Sequence, residues 1–138
     1  MTVERTATYL DASVLIAAAR GTDDVHKKAM EILDAPDREF TASEFLRLEV
    51  LPKPLFNKYV AEAEFYKAYF DTVEKWADDF EAVIPDSYKQ AVNYGLSALD
   101  ALHVASAIAT GTDELITVEK RTKPLARVST VKVISIHE

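Results

Sequence analysis

Short apolar runs alternate along the chain with longer stretches in which apolar residues recur every three or four positions. The short runs have the length and spacing of buried strands, and they fall at residues 7–10, 39–42, 80–84, 114–118 and 131–136. The longer stretches have helical periodicity, and they cover residues 14–20, 24–34, 43–51, 54–78, 86–94 and 99–110. Strands that alternate with helices in this way predict an α/β fold in which helices cover a parallel sheet.

Residues that favour helix ends support these boundaries. Ser43 can cap the helix at 43–51, and Pro54 suits the first turn of the helix that follows. Asp86 can cap the fifth helix, and Gly111 follows the sixth, where a left-handed stop is expected.

Length and composition narrow the class of protein. The chain has 138 residues, and at roughly 100 to 200 residues per domain we expect one domain over residues 1–138. The absence of cysteine excludes thiolate metal sites and disulfides, and the three glycines exclude a P-loop or a dinucleotide-binding turn. No apolar run approaches the roughly 20 residues that cross a bilayer. We therefore expect a cytoplasmic protein with no membrane partner.

The charge of the chain is distributed unevenly. Its net value is −7, but residues 120–138 carry five basic side chains and one acidic side chain. Residues 1–119 carry the remaining 11 basic and 22 acidic side chains. The basic C-terminal segment keeps nucleic acid among the expected partners despite the acidic total.

Four acidic residues occupy positions where a parallel sheet gathers its ligands. Asp11 and Glu119 directly follow predicted strands, and Asp100 begins a predicted helix. Glu49 lies further along the helix at 43–51. Because the carboxyl ends of parallel strands meet in one crevice, we expect these side chains to crowd together. Crowded carboxylates repel unless a cation neutralises them, and oxygen ligands without cysteine suit Mg²⁺ or Mn²⁺.

Four segments carry a resemblance to a known family. They are residues 9–16 (YLDASVLI), 42–49 (ASEFLRLE), 99–107 (LDALHVASA) and 115–119 (LITVE). In this order and spacing they resemble the PIN domain, including the VapC-type toxin ribonucleases, over essentially the whole chain. The resemblance implies a three-layer α/β/α sandwich with a central parallel sheet and a metal-dependent nuclease site.

The resemblance also implies roles for individual residues. Asp11, Glu49 and Asp100 match the acidic core of the family and would be catalytic metal ligands. Glu119 stands where the family usually has Asp, and it would place a second ion or the attacking water. The small hydroxyl residues beside the first and fourth acids are matched by Ser13 and Thr117.

Each assignment has a structural alternative. An acid after a strand is often only a helix cap, and Glu44 competes with Glu49 for the role of ligand. His103 follows Asp100 by three residues on the same helical face, and we expect it to pack or to support a ligand rather than to bind metal. Asp113 lies in a loop and is expected to be a turn residue.

Basic residues directly after the fourth acid are candidates for RNA binding. They are Lys120, Arg121, Lys123 and Arg127. Such cations would hold phosphates at the rim of the cleft, and an ordinary solvated surface is the alternative. Arg20, Arg47 and Lys53 are further candidates without a ranking.

The predicted helix at 54–78 carries aromatic residues on two faces. Tyr59, Tyr66 and Phe70 form a stripe that can enter the core, and Phe65 and Tyr69 begin a second stripe. The second stripe predicts a homodimer interface or a groove for a partner helix, such as the antitoxin that the resemblance implies. Packing within the monomer is the alternative.

Three functions follow from these features. The leading one is a divalent-metal-dependent endoribonuclease that cleaves RNA phosphodiester bonds as the toxin of a toxin-antitoxin pair. The alternative is a non-catalytic PIN-fold module that binds RNA or protein. A third is phosphoryl transfer with Asp11 as nucleophile, which is weaker because Asp11-Ala-Ser13 lacks the second acid of an Asp-x-Asp motif.

Overall fold

A five-stranded parallel sheet forms the centre of the protein, in the strand order β3-β2-β1-β4-β5. The computed structural model describes residues 4–137; residues 1–3 and 138, which the predicted domain includes, lie outside the described part. The strands are β1 (Thr6–Leu10), β2 (Arg38–Ser43), β3 (Lys75–Ala77), β4 (Glu114–Thr117) and β5 (Lys132–Ser135).

Helices occupy the connections between the strands. They are α1 (Ala12–Arg20), α2 (Asp24–Asp34), α3 (Glu44–Val50), α4 (Pro52–Phe56), α5 (Val60–Thr72), α6 (Phe80–Tyr94) and α7 (Ala98–Ala109), and a 3₁₀ turn spans Pro124–Arg127. Within residues 4–137, none of the helices is long and apolar enough to cross a membrane.

The helices form a layer on each face of the sheet. Successive strand residues point to opposite faces, so Leu10 and Ile116 join a core with α1, α2, α3 and α5, whereas Tyr9 and Leu115 join a core with α7. Helix α6 packs on α7 through Val83, which contacts Ala105. The architecture is the expected three-layer α/β/α sandwich with a central parallel sheet.

The central strand β1 and its neighbour β4 end side by side at the carboxyl edge of the sheet. Strand β1 pairs with β2 on one side and with β4 on the other, where Leu10 lies opposite Ile116. The next residue, Asp11, donates its backbone N–H to the carbonyl of Ile116 at 3.1 Å. The segments that follow β1 and β4 therefore begin side by side.

Most of the predicted elements are confirmed. The strands predicted at 7–10, 39–42, 114–118 and 131–136 match β1, β2, β4 and β5 to within one residue at each end, and the helix at 24–34 matches α2. Ser43 caps α3 by accepting a hydrogen bond from the N–H of Leu46, and Gly111 has the expected positive φ of 68°.

The strand predicted at 80–84 is wrong, because these residues begin α6. Asp79 caps this helix by accepting a hydrogen bond from the N–H of Ala82. Val83 is buried against α7, whereas Phe80 and Ile84 remain partly exposed on the outer side. Asp86 lies inside the helix and is not its cap.

The single helix predicted at 54–78 is also wrong, because the chain breaks there into α4, α5 and β3. Lys58 adopts a φ of 60° between the two helices, a conformation that a non-glycine residue rarely takes. Val73 has extended backbone and ends α5. The three residues of β3 then pair with the end of β2, where Ala77 lies opposite Ser43.

Tyr69 belongs to the core and not to an outer aromatic face. Its side chain is 5% exposed, and its ring contacts Phe40 edge-to-face at 5.5 Å between centroids. Phe65 is partly buried against the same core. The outward position predicted for Tyr69 is therefore wrong, whereas Phe65 keeps part of its side chain exposed and its role in an interface stays a prediction.

This packing predicts a difference between two tyrosines. We expect Tyr69→Ala to cost about 3–5 kcal/mol of unfolding free energy, since it empties a buried aromatic site. Tyr59→Ala at the start of α5 is the matched control, because Tyr59 is 56% exposed and surface changes usually stay within about 0.5 kcal/mol. Urea unfolding measures both values. Equal midpoints for the two variants would place Tyr69 outside the core.

Candidate metal centre

Asp11 is a buried carboxylate at the carboxyl end of the central strand. It caps α1, and its Oδ1 accepts hydrogen bonds from the N–H of Val14 at 3.4 Å and from the hydroxyl of Ser13. Only 6% of the residue is exposed. Burial raises the pKa of the Asp11 carboxyl, and the hydroxyls of Ser13 and Thr117 partly oppose this rise.

Ser13 and Thr117 join the start of α1 to the end of β4. Ser13 Oγ lies 3.5 Å from Thr117 Oγ1 and accepts the N–H of Val118 at 3.0 Å. Thr117 Oγ1 accepts the N–H of Glu119 at 3.1 Å. The two hydroxyls therefore shape the turn that carries Glu119 past Asp11.

Asp100 lies in the first turn of α7, three residues after the cap residue Ser97. The hydroxyl of Ser97 accepts the N–H of Asp100 at 3.3 Å and fixes the start of the helix. Burial raises the pKa of the Asp100 carboxyl, and the charge of Glu49 adds to this rise. Asp100 and Glu49 therefore lie within electrostatic range of each other.

Glu119 follows β4 and interacts with two of the other acids. Partial burial raises the pKa of its carboxyl, and the charges of Asp100 and Asp11 raise it further. Lys123 opposes the rise. Glu119 therefore lies close enough to Asp11 and Asp100 for the charges of these residues to repel its own.

Glu49 lies near the end of α3 and is bound by a histidine. His103 Nε2 is 2.7 Å from Glu49 Oε1. The imidazole is almost completely buried, whereas 31% of the Glu49 side chain is exposed. His103 therefore supports a predicted ligand, in agreement with the role expected from the sequence.

The four predicted acids are linked by electrostatic interactions but do not form a closed cluster. Across residues 4–137, no three Asp, Glu or His side chains are grouped tightly enough to hold one ion. The expectation that the carboxylates crowd together is therefore not met. Their chemistry nevertheless fits a hard divalent cation, because all four offer oxygen donors and a cation would relieve the repulsion that Glu119 experiences.

Two cavities are each lined by one of these acids and by basic side chains. One of about 220 Å³ is lined by Glu119 together with Lys120 and Arg121. Another of about 200 Å³ is lined by Glu49 together with Arg20 and Lys53. Basic side chains therefore share a cavity with Glu49 and another with Glu119.

Other predicted residues lie in different surroundings. Arg127 donates a hydrogen bond to the carbonyl of Tyr94 at 3.3 Å, at the end of α6. The guanidinium of Arg47 lies 4.5 Å from the ring centroid of Trp76. Asp113 accepts the N–H of Ala7 at 2.9 Å at the amino end of β4, opposite the edge that carries Asp11.

Two parts of this site are not visible in the residue pattern. The hydroxyl of Tyr9 contacts both Ser43 and His103 in the core, although the residue pattern indicates only a strand position for Tyr9 and a helix cap for Ser43. Arg20 and Lys53 were unranked candidates, because nothing in the pattern shows that α1 and α4 share a cavity with Glu49. The one available signal was the position of His103, one turn after Asp100.

Comparison with known proteins gives the family. A model of the PIN domain matches residues 8–129, and the chain therefore belongs to the PIN domain family. No curated protein matches the sequence significantly.

Solved structures of toxins share the fold. A toxin-antitoxin complex from Klebsiella pneumoniae has a TM-score of 0.73 at 23% identity, over 95% of this chain and 98% of that one. VapBC2 from Rickettsia felis, bound to a DNA fragment from its promoter, has a TM-score of 0.72 at 15% identity, over 94% and 98%. VapC20 from Mycobacterium tuberculosis, a toxin that cleaves the sarcin-ricin loop, has a TM-score of 0.60 at 14% identity, over 87% and 94%.

The raised pKa of Asp11 predicts that this residue destabilises the metal-free protein at neutral pH. A carboxyl with a higher pKa in the folded state lowers stability above that pKa, and the penalty disappears as the pH falls below the unfolded value of about 3.9. We therefore expect Asp11→Asn to raise the unfolding midpoint at pH 7 in a chelator, by roughly 4 °C for each kcal/mol relieved. The gain should shrink on acidification.

Thermal unfolding followed by circular dichroism between pH 4 and pH 7 measures this effect. Asp113→Asn is the control, because Asp113 is exposed and its acceptor oxygen survives in asparagine. A lower midpoint for Asp11→Asn at pH 7 would contradict the prediction.

Proposed function

We propose that the protein is a divalent-metal-dependent endoribonuclease that hydrolyses RNA phosphodiester bonds. The observation that carries the proposal is the buried carboxylate of Asp11 at the carboxyl end of β1, whose charge acts on Glu119 together with the charge of Asp100. Its membership of the PIN domain family supports the same chemistry. Since the substrate would be cellular RNA, we assign the protein to the cytoplasm.

The acids divide into roles according to their surroundings. Asp11, Glu49 and Asp100 would hold a Mg²⁺ or Mn²⁺ ion, which when bound supplies a water nucleophile and stabilises charge on the phosphate. Ser13 keeps Asp11 oriented by its hydrogen bond. Glu119, with its raised pKa, would orient the attacking water or contribute to a second ion site.

The basic residues suit a single-stranded polyanion. Lys120 and Arg121 line the cavity beside Glu119, and Lys123 interacts with the Glu119 carboxylate. These cations would hold phosphates next to the acids, as RNA binding requires in a chain of net charge −7. Arg127 would contribute less, because it binds the end of α6.

A cognate antitoxin is the protein partner that we propose. The structures from Klebsiella and Rickettsia are toxin-antitoxin complexes, and this chain exposes neighbouring apolar side chains on α4 and at the start of α5. They are Leu55, Phe56, Tyr59 and Val60. A small basic protein encoded next to this chain would support the pairing, since its charge would complement the acidic total.

Helix α6 offers the surface for the proposed homodimer. Its outer side carries a stripe of exposed apolar residues at four-residue spacing: Phe80, Ile84, Tyr88 and Val92. Contiguous exposed apolar surface of this kind marks protein interfaces. Light scattering tests the dimer, and a mass near 15.4 kDa in solution would contradict it.

One observation favours a second function, a non-catalytic module that binds RNA or protein. The acids within residues 4–137 do not close into a group of three, and Glu119 stands where the family usually has Asp. Such a module would bind RNA without cleaving it in the presence of Mn²⁺. Cleavage assays therefore separate the two functions.

Cleavage should depend on individual carboxylates. We expect Asp11→Asn and Asp100→Asn to lower cleavage of single-stranded RNA in Mn²⁺ by two or more orders of magnitude, roughly the loss typical for an electrostatic group at a reacting phosphate. Glu119→Asp should retain or increase activity, and Glu119→Gln should lower it less than Asp11→Asn does. Fluorescence of a labelled RNA measures the rate, and circular dichroism confirms the fold.

Asp113→Asn serves as the control for this series, and it should cleave RNA at the parent rate. Unchanged rates for both Asp11→Asn and Asp100→Asn would show that the activity belongs to another site or to a contaminant.

The cation proposal predicts the salt dependence of RNA binding. Replacing Lys120 and Arg121 with Gln in a chelator should make the slope of log affinity against log salt less steep by roughly 1.4, at about 0.7 per phosphate contact on single strands. The pair Lys27→Gln and Lys89→Gln, which are exposed on α2 and α6, changes the net charge equally. If this pair shifts the slope as much, the cavity cations do not contact phosphate.

A further inference from the structure

A buried chain of hydrogen bonds leads from the core to Glu49. Ser43 Oγ lies 2.7 Å from the hydroxyl of Tyr9, and this hydroxyl lies 2.7 Å from His103 Nδ1. His103 Nε2 lies 2.7 Å from Glu49 Oε1. Tyr9 and Ser43 are fully buried, so the chain is shielded from water except at Glu49.

The hydrogen bonds of this chain have a consistent direction. The Glu49 carboxylate only accepts, so His103 Nε2 carries the hydrogen between them. With its hydrogen on Nε2, the imidazole then accepts at Nδ1 from the Tyr9 hydroxyl. Ser43 donates to the Tyr9 oxygen while its own oxygen accepts the N–H of Leu46 at 3.2 Å.

The chain joins three elements that sequence separates widely. Tyr9 lies on the central strand, Ser43 precedes α3, and His103 lies on α7, 54 residues after Glu49. Glutamate has a long side chain with several free torsions, so a carboxylate that is partly exposed needs a fixed partner to keep one orientation. His103 supplies this partner from its buried position on α7.

We propose that His103 is a positioning residue that orients Glu49 for binding of the divalent ion, and that Tyr9 and Ser43 hold the imidazole for this purpose. The inference rests on the proposed function in one respect, the assignment of Glu49 as a ligand. Partners that orient metal ligands through hydrogen bonds typically change metal affinity by roughly 10–100-fold when they are replaced.

Two substitutions of His103 separate this role from simple packing. The amide nitrogen of His103→Gln can reach the position of Nε2 and keep the contact with Glu49, whereas His103→Asn reaches only towards Nδ1 and Tyr9. We expect His103→Asn to bind Mn²⁺ roughly 10–100-fold more weakly than the parent. His103→Gln should recover most of that affinity, although both variants lose the ring from the core.

Calorimetric titration with Mn²⁺ alone measures these affinities, without RNA and without activity. Urea unfolding of the same variants in a chelator records the packing cost, which should be similar for both. His26→Asn is the control, because the imidazole of His26 contacts the backbone carbonyl of Ala17 rather than a carboxylate. It should leave Mn²⁺ affinity unchanged.

The outcomes distinguish the inference from the proposed function. If the parent binds Mn²⁺ and Asp11→Asn does not, equal affinities for the parent and His103→Asn overturn the positioning role alone. Equal losses in His103→Asn and His103→Gln also overturn it, because packing then explains the effect. If the parent does not bind Mn²⁺, both the proposed function and the positioning role fail.

Tyr9→Phe keeps the proposal testable if His103→Asn does not fold. It preserves the aromatic ring in the core and removes only the hydroxyl that His103 Nδ1 contacts. The imidazole then loses its fixed orientation, and we expect weaker Mn²⁺ binding than in the parent. An unchanged affinity would overturn the role of Tyr9 in holding the imidazole.

Discussion

The enclosure of β1 is the constraint on which the rest of the structure depends. This strand has hydrogen-bonded neighbours on both edges and helices over both faces, so polar side chains along it need partners from within the protein. Asp11 is the first residue beyond that enclosure, yet it is still buried. Its charge is stabilised by hydrogen bonds from Ser13 and from the first turn of α1, and it repels the charge of Glu119. A bound cation would offset this repulsion.

The sequence predicted the parts of the fold that follow from short-range rules. Strands buried on both faces must be apolar, and caps such as Ser43 act within one turn, so both are visible in the residue pattern. The errors arose where contacts between residues far apart in the sequence determine the secondary structure. Lys58 breaks the helix with a conformation for which glycine is the usual signal, and β3 exists only because β2 pairs with it. The apolar run at residues 80–84 fits a strand or a helix equally until Asp79 caps it.

The positions of the acidic residues could be predicted from the sequence, but the contacts that orient them could not. Acids that follow parallel strands converge by topology, and therefore Asp11 and Glu119 could be placed together from their positions alone. The orientation of Glu49 could not be inferred, because the contact that fixes it comes from a histidine on α7. Tyr9 was equally hidden, since an aromatic residue in a strand is normally only core. The predicted ligands can be recognised from a sequence motif, whereas residues such as Tyr9 that would support them cannot.

The guanidinium of Arg47 on α3 packs against the ring of Trp76, and this contact links the fluorescence of the tryptophan to the position of the helix. The guanidinium lies 4.5 Å from the ring of Trp76, which is the single tryptophan of the chain. Indole emission responds to a nearby positive charge, and Arg47 precedes Glu49 by two residues on the same helix. A displacement of α3 therefore changes the fluorescence of one identifiable residue. The fluorescence of Trp76 can therefore report movements of the helix that carries Glu49 without an added label.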